Sequence, residues 1–332
     1  MKAVVWTAYG PPEVLKQMEV PKPVPKADEV LIRIHATTVT AGDCEMRSLK
    51  LPMMLGLPMR VYNGLSKPGR ITILGQELSG EVEAVGQAVT RFKPGDQVFA
   101  TTGFGLGGYA EYICLRENPS ESVLALKPAN LTYQQAAAVP FGGLEALHLL
   151  KQAQLKPGEK ILVVGAGGTI GTNAVQLARH FGGEVTAVDR GEKLDMLRTL
   201  GAARVIDYTQ EDYTQDGEHY DVIFDVIGKS PFSRCLDILN DRGRYLLAAP
   251  KISQLLRKGW ISRSSSKRII TTSSTQTLAD LRYLIDLLES GELKVIIDRT
   301  FPLEQAVEAH SYAESGGKKG NLVLTVVPDE AS

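Results

Sequence analysis

Residues 160–171 read Lys160-Ile161-Leu162-Val163-Val164-Gly165-Ala166-Gly167-Gly168-Thr169-Ile170-Gly171, and this stretch decides the fold. The run 160–164 is a short apolar strand, and helical spacing begins at Thr169 and continues to Phe181. Between them the glycines follow G-x-x-G-x-x-G at Gly165, Gly168 and Gly171, not a strict G-x-G-x-x-G. A glycine turn from strand to helix aims backbone N–H groups and the positive helix end at one point, where a pyrophosphate would sit. Glycines there remove side chains that would block the phosphates and let the helix close on the sheet. Gly165, Gly167, Gly168, Thr169, Ile170 and Gly171 are therefore candidate dinucleotide contacts. The plainer reading is a glycine-rich turn with no ligand.

The next strand, 184–189, ends in Asp189, 18 residues past Gly171. An acid at a strand end can accept hydrogen bonds from both ribose hydroxyls of an adenosine and would repel a 2′-phosphate, which favours NAD(H). Arg190, Lys193 and Tyr208 lie close enough in sequence to contact such a phosphate, so NADP(H) stays open.

Outward from this unit the same rhythm repeats. Helical spacing at 193–200 precedes a strand at 204–208; a strand at 220–225 precedes helical spacing at 230–239 and a strand at 243–247. Strands alternating with helices predict parallel β-α-β units and a doubly wound α/β sheet. Upstream, 131–150 is rich in alanine and leucine and predicts one or two helices. The first 125 residues instead read as β-rich, with turns at Gly10-Pro11-Pro12, Pro21-Lys22-Pro23 and Lys93-Pro94-Gly95-Asp96. Near the end come a helix at 278–290 and a strand at 322–327. There is no internal repeat and no low-complexity tract.

The 332 residues suggest two domains at roughly 150 residues each. With 37 basic and 38 acidic side chains the net charge is -1, which argues against a nucleic-acid partner. No apolar run approaches the roughly 20 residues of a membrane helix. Met1 to Trp6 reads as a strand, not a signal peptide, and a cytoplasmic home is the default. Cys44, Cys114 and Cys235 are too few and too dispersed for a disulfide framework. His35, His148, His180, His219 and His310 show no metal or triad spacing and read as surface or satisfied core.

Two local features stand out. Met46, Met53, Met54 and Met59 fall within fourteen residues, beside Tyr62 and before Lys67-Pro68-Gly69. They read as an adaptable apolar lid over a substrate or as plain packing of a long loop. The stretch from Arg257 to Arg268 is basic around Trp260, a solvated loop or an anion-facing surface.

Ordered blocks along nearly the whole chain resemble the medium-chain dehydrogenase/reductase superfamily, in its zinc-free quinone oxidoreductase branch. They include Met1-Lys2-Ala3-Val4, Gly75-Gln76-Glu77-Leu78-Ser79-Gly80-Glu81-Val82 and Phe92-Lys93-Pro94-Gly95-Asp96-Gln97-Val98. Gly107-Gly108-Tyr109-Ala110-Glu111-Tyr112, Gly158-Glu159-Lys160-Ile161-Leu162-Val163 and Tyr220-Asp221-Val222-Ile223-Phe224-Asp225-Val226-Ile227-Gly228 continue the series. The resemblance implies a GroES-like β-barrel catalytic domain, residues 1–125 and 273–332, around an inserted Rossmann domain, residues 126–272. It also implies a homodimer.

Zinc alcohol dehydrogenases of this superfamily carry a ligand cysteine where Thr40 stands and a ligand histidine where Gln76 stands; Cys44 is out of register. Their four-cysteine lobe has no counterpart between Phe99 and Tyr109. With two ligands replaced, zinc is not expected, because such sites need three or four converging donors. Reducing a simple ketone concentrates charge on one oxygen, which a metal would stabilise. Conjugated acceptors spread that charge, so a small, hydrophobic quinone or α,β-unsaturated carbonyl is the expected substrate, served by hydrogen-bond donors alone. By resemblance Thr40 and Asp43 line the nicotinamide pocket, and Tyr62 is a candidate proton donor, with Tyr109 read as core. Relatives carry threonine where Glu145 falls, which is a departure at the nicotinamide contact. A zinc-independent alcohol or aldehyde reductase, or a non-catalytic NAD(P)H-binding sensor, are the competing readings.

Overall fold

The computed structural model describes residues 1–49, 53–119, 122–256, 265–271 and 276–327, with 53–55 as backbone only. Most of the basic stretch around Trp260 therefore lies outside the described residues, as do the side chains of Met53 and Met54. Among the described residues no helix is long and apolar enough to cross a membrane. The chain forms two compact units. One comprises Met1–Phe141, Gln276–Ile285 and Val295–Ser332; the other comprises Gly142–Thr275 and Asp286–Lys294.

In the first unit, β1 (Lys2–Trp6) and β2 (Leu15–Glu19) form a two-stranded hairpin. The larger sheet is built around β3 (Glu29–Thr38), a ten-residue strand. It takes β4 (Glu77–Val85), β5 (Gln97–Thr101), β6 (Tyr112–Arg116) and β7 (Leu124–Leu126) in antiparallel pairings. Val30, Ile32 and Ile34 alternate along β3 and bury one face against Leu78, Val82, Val98 and Leu124. The period of two is what makes this stretch a strand and not a helix. Two helices interrupt the β-rich stretch: α1 (Ala41–Ser48) and α2 (Met53–Asn63). Sequence periodicity showed neither, because α1 opens on small and charged residues and α2 contains Gly56 and Pro58.

The 131–150 stretch is two helices, α3 (Tyr133–Ala137) and α4 (Pro140–Ala153). From it the chain enters the second unit. Among its described residues lie six parallel strands: β8 (Lys160–Val164), β9 (Glu184–Asp189), β10 (Arg204–Asp207), β11 (Tyr220–Asp225), β12 (Leu239–Leu247) and β13 (Arg268–Thr271). Their spatial order, β10-β9-β8-β11-β12-β13, reverses direction beside β8. Ligands of doubly wound sheets bind at such a reversal, outside the carboxyl ends of the strands. β8 reads as an unbroken apolar run because Ile161–Val164 are at most 3 % exposed, as befits a central parallel strand.

The helices α5 (Thr169–His180) and α6 (Leu194–Thr199) fall where helical spacing placed them. The predicted helix at 230–239 is shorter, α7 (Phe232–Asp237), and β12 begins at once with Leu239. β12 carries a register shift between the partners of Tyr220 and Val222, Leu239 and Arg244, which accommodates its extra residues.

After α8 (Leu278–Glu289) the chain adds β14 (Ile297–Pro302), α9 (Ala306–Ser315) and β15 (Asn321–Thr325). β14 and β15 pair in parallel, and β15 lies antiparallel on β3 with Val323 opposite Thr38. The last described strand thus joins the sheet built around β3.

Candidate active site

In the second unit the turn after β8 brings the glycines together. Gly165 sits at φ +79°, a backbone conformation that glycine adopts without a Cβ penalty. Its N–H and that of Ala166 bond to Val188 O at 3.0 and 3.2 Å, which fastens the turn to the end of β9. A Cβ on Gly171 would lie 2.3 Å from Gly165 O, so glycine there permits the close approach of α5 to the turn. Gly168 is different. Its φ of −93° suits any residue, and among the described residues nothing but its own chain neighbours lies within 3.7 Å of where its Cβ would be. Yet it is the residue that starts α5, and it offers no side chain to cap the helix. The first-turn amides of a helix, here those of Ile170 and Gly171, are not bonded within it. Together these features make a cradle that an anionic group fits.

Asp189 ends β9 as expected, but its carboxylate is turned inward. Oδ2 accepts from Gly167 N–H at 2.7 Å, and Oδ1 accepts from Arg190 N–H at 2.9 Å. Lys193 Nζ lies 3.1 Å from the same Oδ1, and both side chains are about 8 % exposed. The stem of Lys193 packs on Gly167, where a Cβ would meet its Cδ at 2.4 Å. Asp189 thus pairs with Lys193 and holds the glycine turn. Beyond it, Arg190 Nε donates to Tyr208 Oη at 3.0 Å, and both groups face solvent. Glu145 is 8 % exposed on α4, one helical turn from Gly142. A Cβ on Gly142 would meet Thr169 O at 2.7 Å, which places this face of α4 against the start of α5.

The first unit holds a second cluster. Thr40 caps α1 in a capping box with Asp43. Its hydroxyl donates to Asp43 Oδ2 at 2.7 Å and accepts from Asp43 N–H at 3.0 Å. Asp43 also accepts from Thr40 N–H and from Gly75 N–H, each at 3.0 Å. Asp43 is completely buried, and burial pushes its carboxyl above the usual range despite these donors. Tyr109 and His310 lie behind it. The Tyr109 hydroxyl is 3.1 Å from His310 Nε2, and Cys44 Sγ is 3.4 Å from Nδ1. Burial holds His310 down at about 3 and therefore neutral; of the two expected placements, surface or satisfied core, it takes the core.

Glu77 was not among the expected site residues. Its oxygens accept from Thr38 Oγ1 at 2.5 Å and from Phe141 N–H at 2.7 Å, at the start of α4. Full burial pushes its carboxyl up to about 7. Tyr62 stands apart in α2, 48 % exposed, with the Arg70 guanidinium 4.3 Å above its ring. Among the described residues it shares no hydrogen bond or ring contact with Thr40 or Asp43.

Known proteins resemble this chain along its length. Residues 26–126 match the alcohol dehydrogenase GroES-like domain, and residues 200–324 match the zinc-binding dehydrogenase family. The NADPH-dependent alkenal/one oxidoreductase of Arabidopsis thaliana is 30% identical over 340 residues, 99% of this chain and 80% of that protein. The quinone oxidoreductase structure from Coxiella burnetii superposes with a TM-score of 0.88 at 30% identity, covering 98% of this chain and 99% of that one. The Escherichia coli quinone oxidoreductase complexed with NADPH gives 0.83 at 26% identity, covering 98% and 100%.

The second family description implies a metal, but the residues here do not fit one. Thr40 and Gln76 offer a hydroxyl and an amide, and both Glu77 oxygens are already engaged. Among the described residues no three His, Cys, Asp or Glu side chains converge as metal donors.

The geometry separates two kinds of glycine. Gly171→Ala should cost about 1–3 kcal/mol of stability through overpacking. Gly168→Ala should cost no more than about 1 kcal/mol and instead weaken dinucleotide binding at least tenfold. Urea melts and fluorescence titrations read the two effects separately.

Glu77 makes a pH prediction. A carboxyl whose native pKa lies above its unfolded value holds its proton more tightly when folded. Stability therefore falls as pH rises from about 4.5 to about 7 and levels beyond. Glu77→Gln keeps an acceptor for Phe141 N–H and removes the titration. The stability of the variant relative to the parent should rise by up to about 3 kcal/mol across that window; parallel profiles would contradict the assignment.

Proposed function

Because the chain belongs to the medium-chain dehydrogenase/reductase superfamily, in its zinc-free quinone oxidoreductase branch, we propose that it uses NADPH to reduce quinones or α,β-unsaturated carbonyls. One observation carries the cofactor reading: a helix begun on a bare glycine at the reversal of a parallel sheet, with Arg190, Lys193 and Tyr208 beside the next strand end. The pyrophosphate would be held by the first-turn amides of Thr169, Ile170 and Gly171, with Gly167 and Gly168 contributing room for it, not N–H groups, since both of their amides are bonded within the turn.

The cofactor is nicotinamide-based, and the phosphorylated form is favoured over the NAD(H) that Asp189 suggested. The Lys193 ammonium offsets the charge of Asp189, so a 2′-phosphate meets less repulsion than the bare sequence implied. The exposed Arg190 guanidinium and Tyr208 hydroxyl are free to turn toward that phosphate.

Bound NADPH supplies the hydride. The chain orients the acceptor and receives the charge. Hydride uptake at the electron-poor carbon moves electron density onto the carbonyl or quinone oxygen. Hydrogen-bond donors stabilise it there, and Tyr62 or water returns a proton. Thr40 and Asp43 shape this end of the site. Residues 1–125 and 273–332 serve the acceptor as a GroES-like barrel, and residues 126–272 hold the dinucleotide; the presence of two compact units supports a two-domain division, although the units change over at Phe141 and assign 286–294 to the second. A homodimer, expected from the family resemblance, and a cytoplasmic location, the default reading of the sequence, complete the proposal.

Steady-state assays with an acceptor panel test the proposal. NADPH oxidation is expected with 1,4-naphthoquinone or a medium-chain 2-alkenal and not with a simple ketone; turnover of the ketone alone would refute it. Arg190→Ala should raise the Kd for NADPH about tenfold and that for NADH less than twofold.

A further inference from the structure

The hydroxyl of Thr40 is fully committed within the protein. Its proton goes to Asp43 Oδ2, and its lone pairs accept from Asp43 N–H and from Gln76 Nε2 at 3.1 Å. A hydroxyl has one proton and two acceptor sites, so nothing remains for a ligand. Gln76 is the reverse case. Its amide carries two N–H donors, one spent on Thr40, and among the described residues its side chain makes no other hydrogen bond.

The seat of this amide is built in detail. Gly42 lies in the first turn of α1 with no positive φ, a place where alanine would favour the helix by about 1 kcal/mol. A Cβ there would stand 2.3 Å from Gln76 Nε2. The missing side chain at Gly42 is therefore the space that Gln76 occupies. The main chain beneath Gln76 is pinned as well: its carbonyl accepts from Thr102 N–H at 2.9 Å, and Gly75 O accepts from Thr102 Oγ1 at 2.9 Å. Gln76 is half-buried, so the amide is neither freely solvated nor shut into the core.

We infer that Gln76 is the electrophilic donor of the reaction, its second Nε2 N–H binding the acceptor oxygen as charge develops there. This rests on the proposed hydride transfer to a quinone or enone. Hydride adds at the electron-poor carbon, the π pair moves to oxygen, and the Gln76 N–H hydrogen-bonds that oxygen without giving up its proton. The proton that completes reduction comes from Tyr62 or water. Thr40 and Gly42 are positioning residues, since they act only by fixing the amide.

The test compares the parent protein with Gln76→Leu, Gln76→Glu and Gly42→Ala, using 1,4-naphthoquinone and a 2-alkenal as acceptors and fluorescence to follow NADPH binding. Gln76→Leu should lower kcat about 100-fold with both acceptors, as loss of one preorganised donor does, while KM and the NADPH Kd change less than threefold. Gly42→Ala should lower kcat in the same sense, and the double variant Gly42→Ala with Gln76→Leu should be no slower than Gln76→Leu alone.

Gln76→Glu has one O–H to donate, and only when protonated, which Thr40 and the acceptor then share, so its kcat relative to the parent should recover in part as pH falls. The added carboxyl couples to Asp43 and Glu77, so the ratio is read for its direction, a rise toward low pH. A near-normal kcat in Gln76→Leu, a loss confined to KM or to NADPH binding, or a pH-independent Gln76→Glu ratio would each overturn the inference and leave the proposed function standing. A parent protein that binds NADPH but reduces neither acceptor would overturn both.

Discussion

An α-helix that begins on a residue without a side chain leaves its first amides to be satisfied from outside the helix. In this protein that condition is met at Gly168, where neither backbone conformation nor packing calls for glycine. The rest of the nucleotide-binding unit is arranged to hold that helix end in place. β8 is buried between its neighbours, Gly165 turns the chain, and Gly171 lets α5 settle against the turn. Asp189 reaches back from β9 to take the Gly167 amide, and Lys193 balances its charge. Each of these contacts is internal, so the cradle exists before any ligand arrives.

The first unit solves a complementary problem. It must offer polar groups to a reacting oxygen while most of its own polar groups are buried. Asp43, Glu77, Tyr109 and His310 are all fully buried, and each is held by named partners. The acids are raised by burial and the histidine is lowered, so all three are shifted toward their neutral forms. This suits a site that lacks a metal's donor set and works through hydrogen bonds. What remains to meet a ligand is an amide N–H, an electrophile with no charge of its own to compensate.

Much of the second unit was legible in sequence because its signals are local. An apolar pentapeptide, a glycine turn and a 3.6-residue period identify β8 and α5 without reference to anything distant. The sheet order could not be read that way, since it depends on crossovers. Neither could the partners of Asp189: its place at the end of β9 was evident, but the return of Lys193 onto it is a tertiary fact.

The first unit was less transparent. The Thr40–Asp43 capping box uses Asp at the position where the usual signature has Glu or Gln, so α1 went unread. α2 was masked by its internal Gly56 and Pro58, and β14 by its charged and exposed residues. Glu77 and Gln76 were visible only as replacements in a metal-site pattern; their partners, Thr38, Phe141 and Thr40, come from other elements. A single signal pointed to the Gln76 seat from sequence, a glycine at the second position of a helix, and its meaning required the coordinates of both residues.

The central claim is that hydride goes to the far end of a conjugated system and not to the carbonyl carbon. Its most direct test is to reduce a 2-alkenal with NADPH carrying deuterium at the transferable C4 position and to locate the label in the product by NMR. The account predicts a saturated aldehyde with deuterium on the β-carbon. Deuterium on the carbonyl carbon of an allylic alcohol would contradict it.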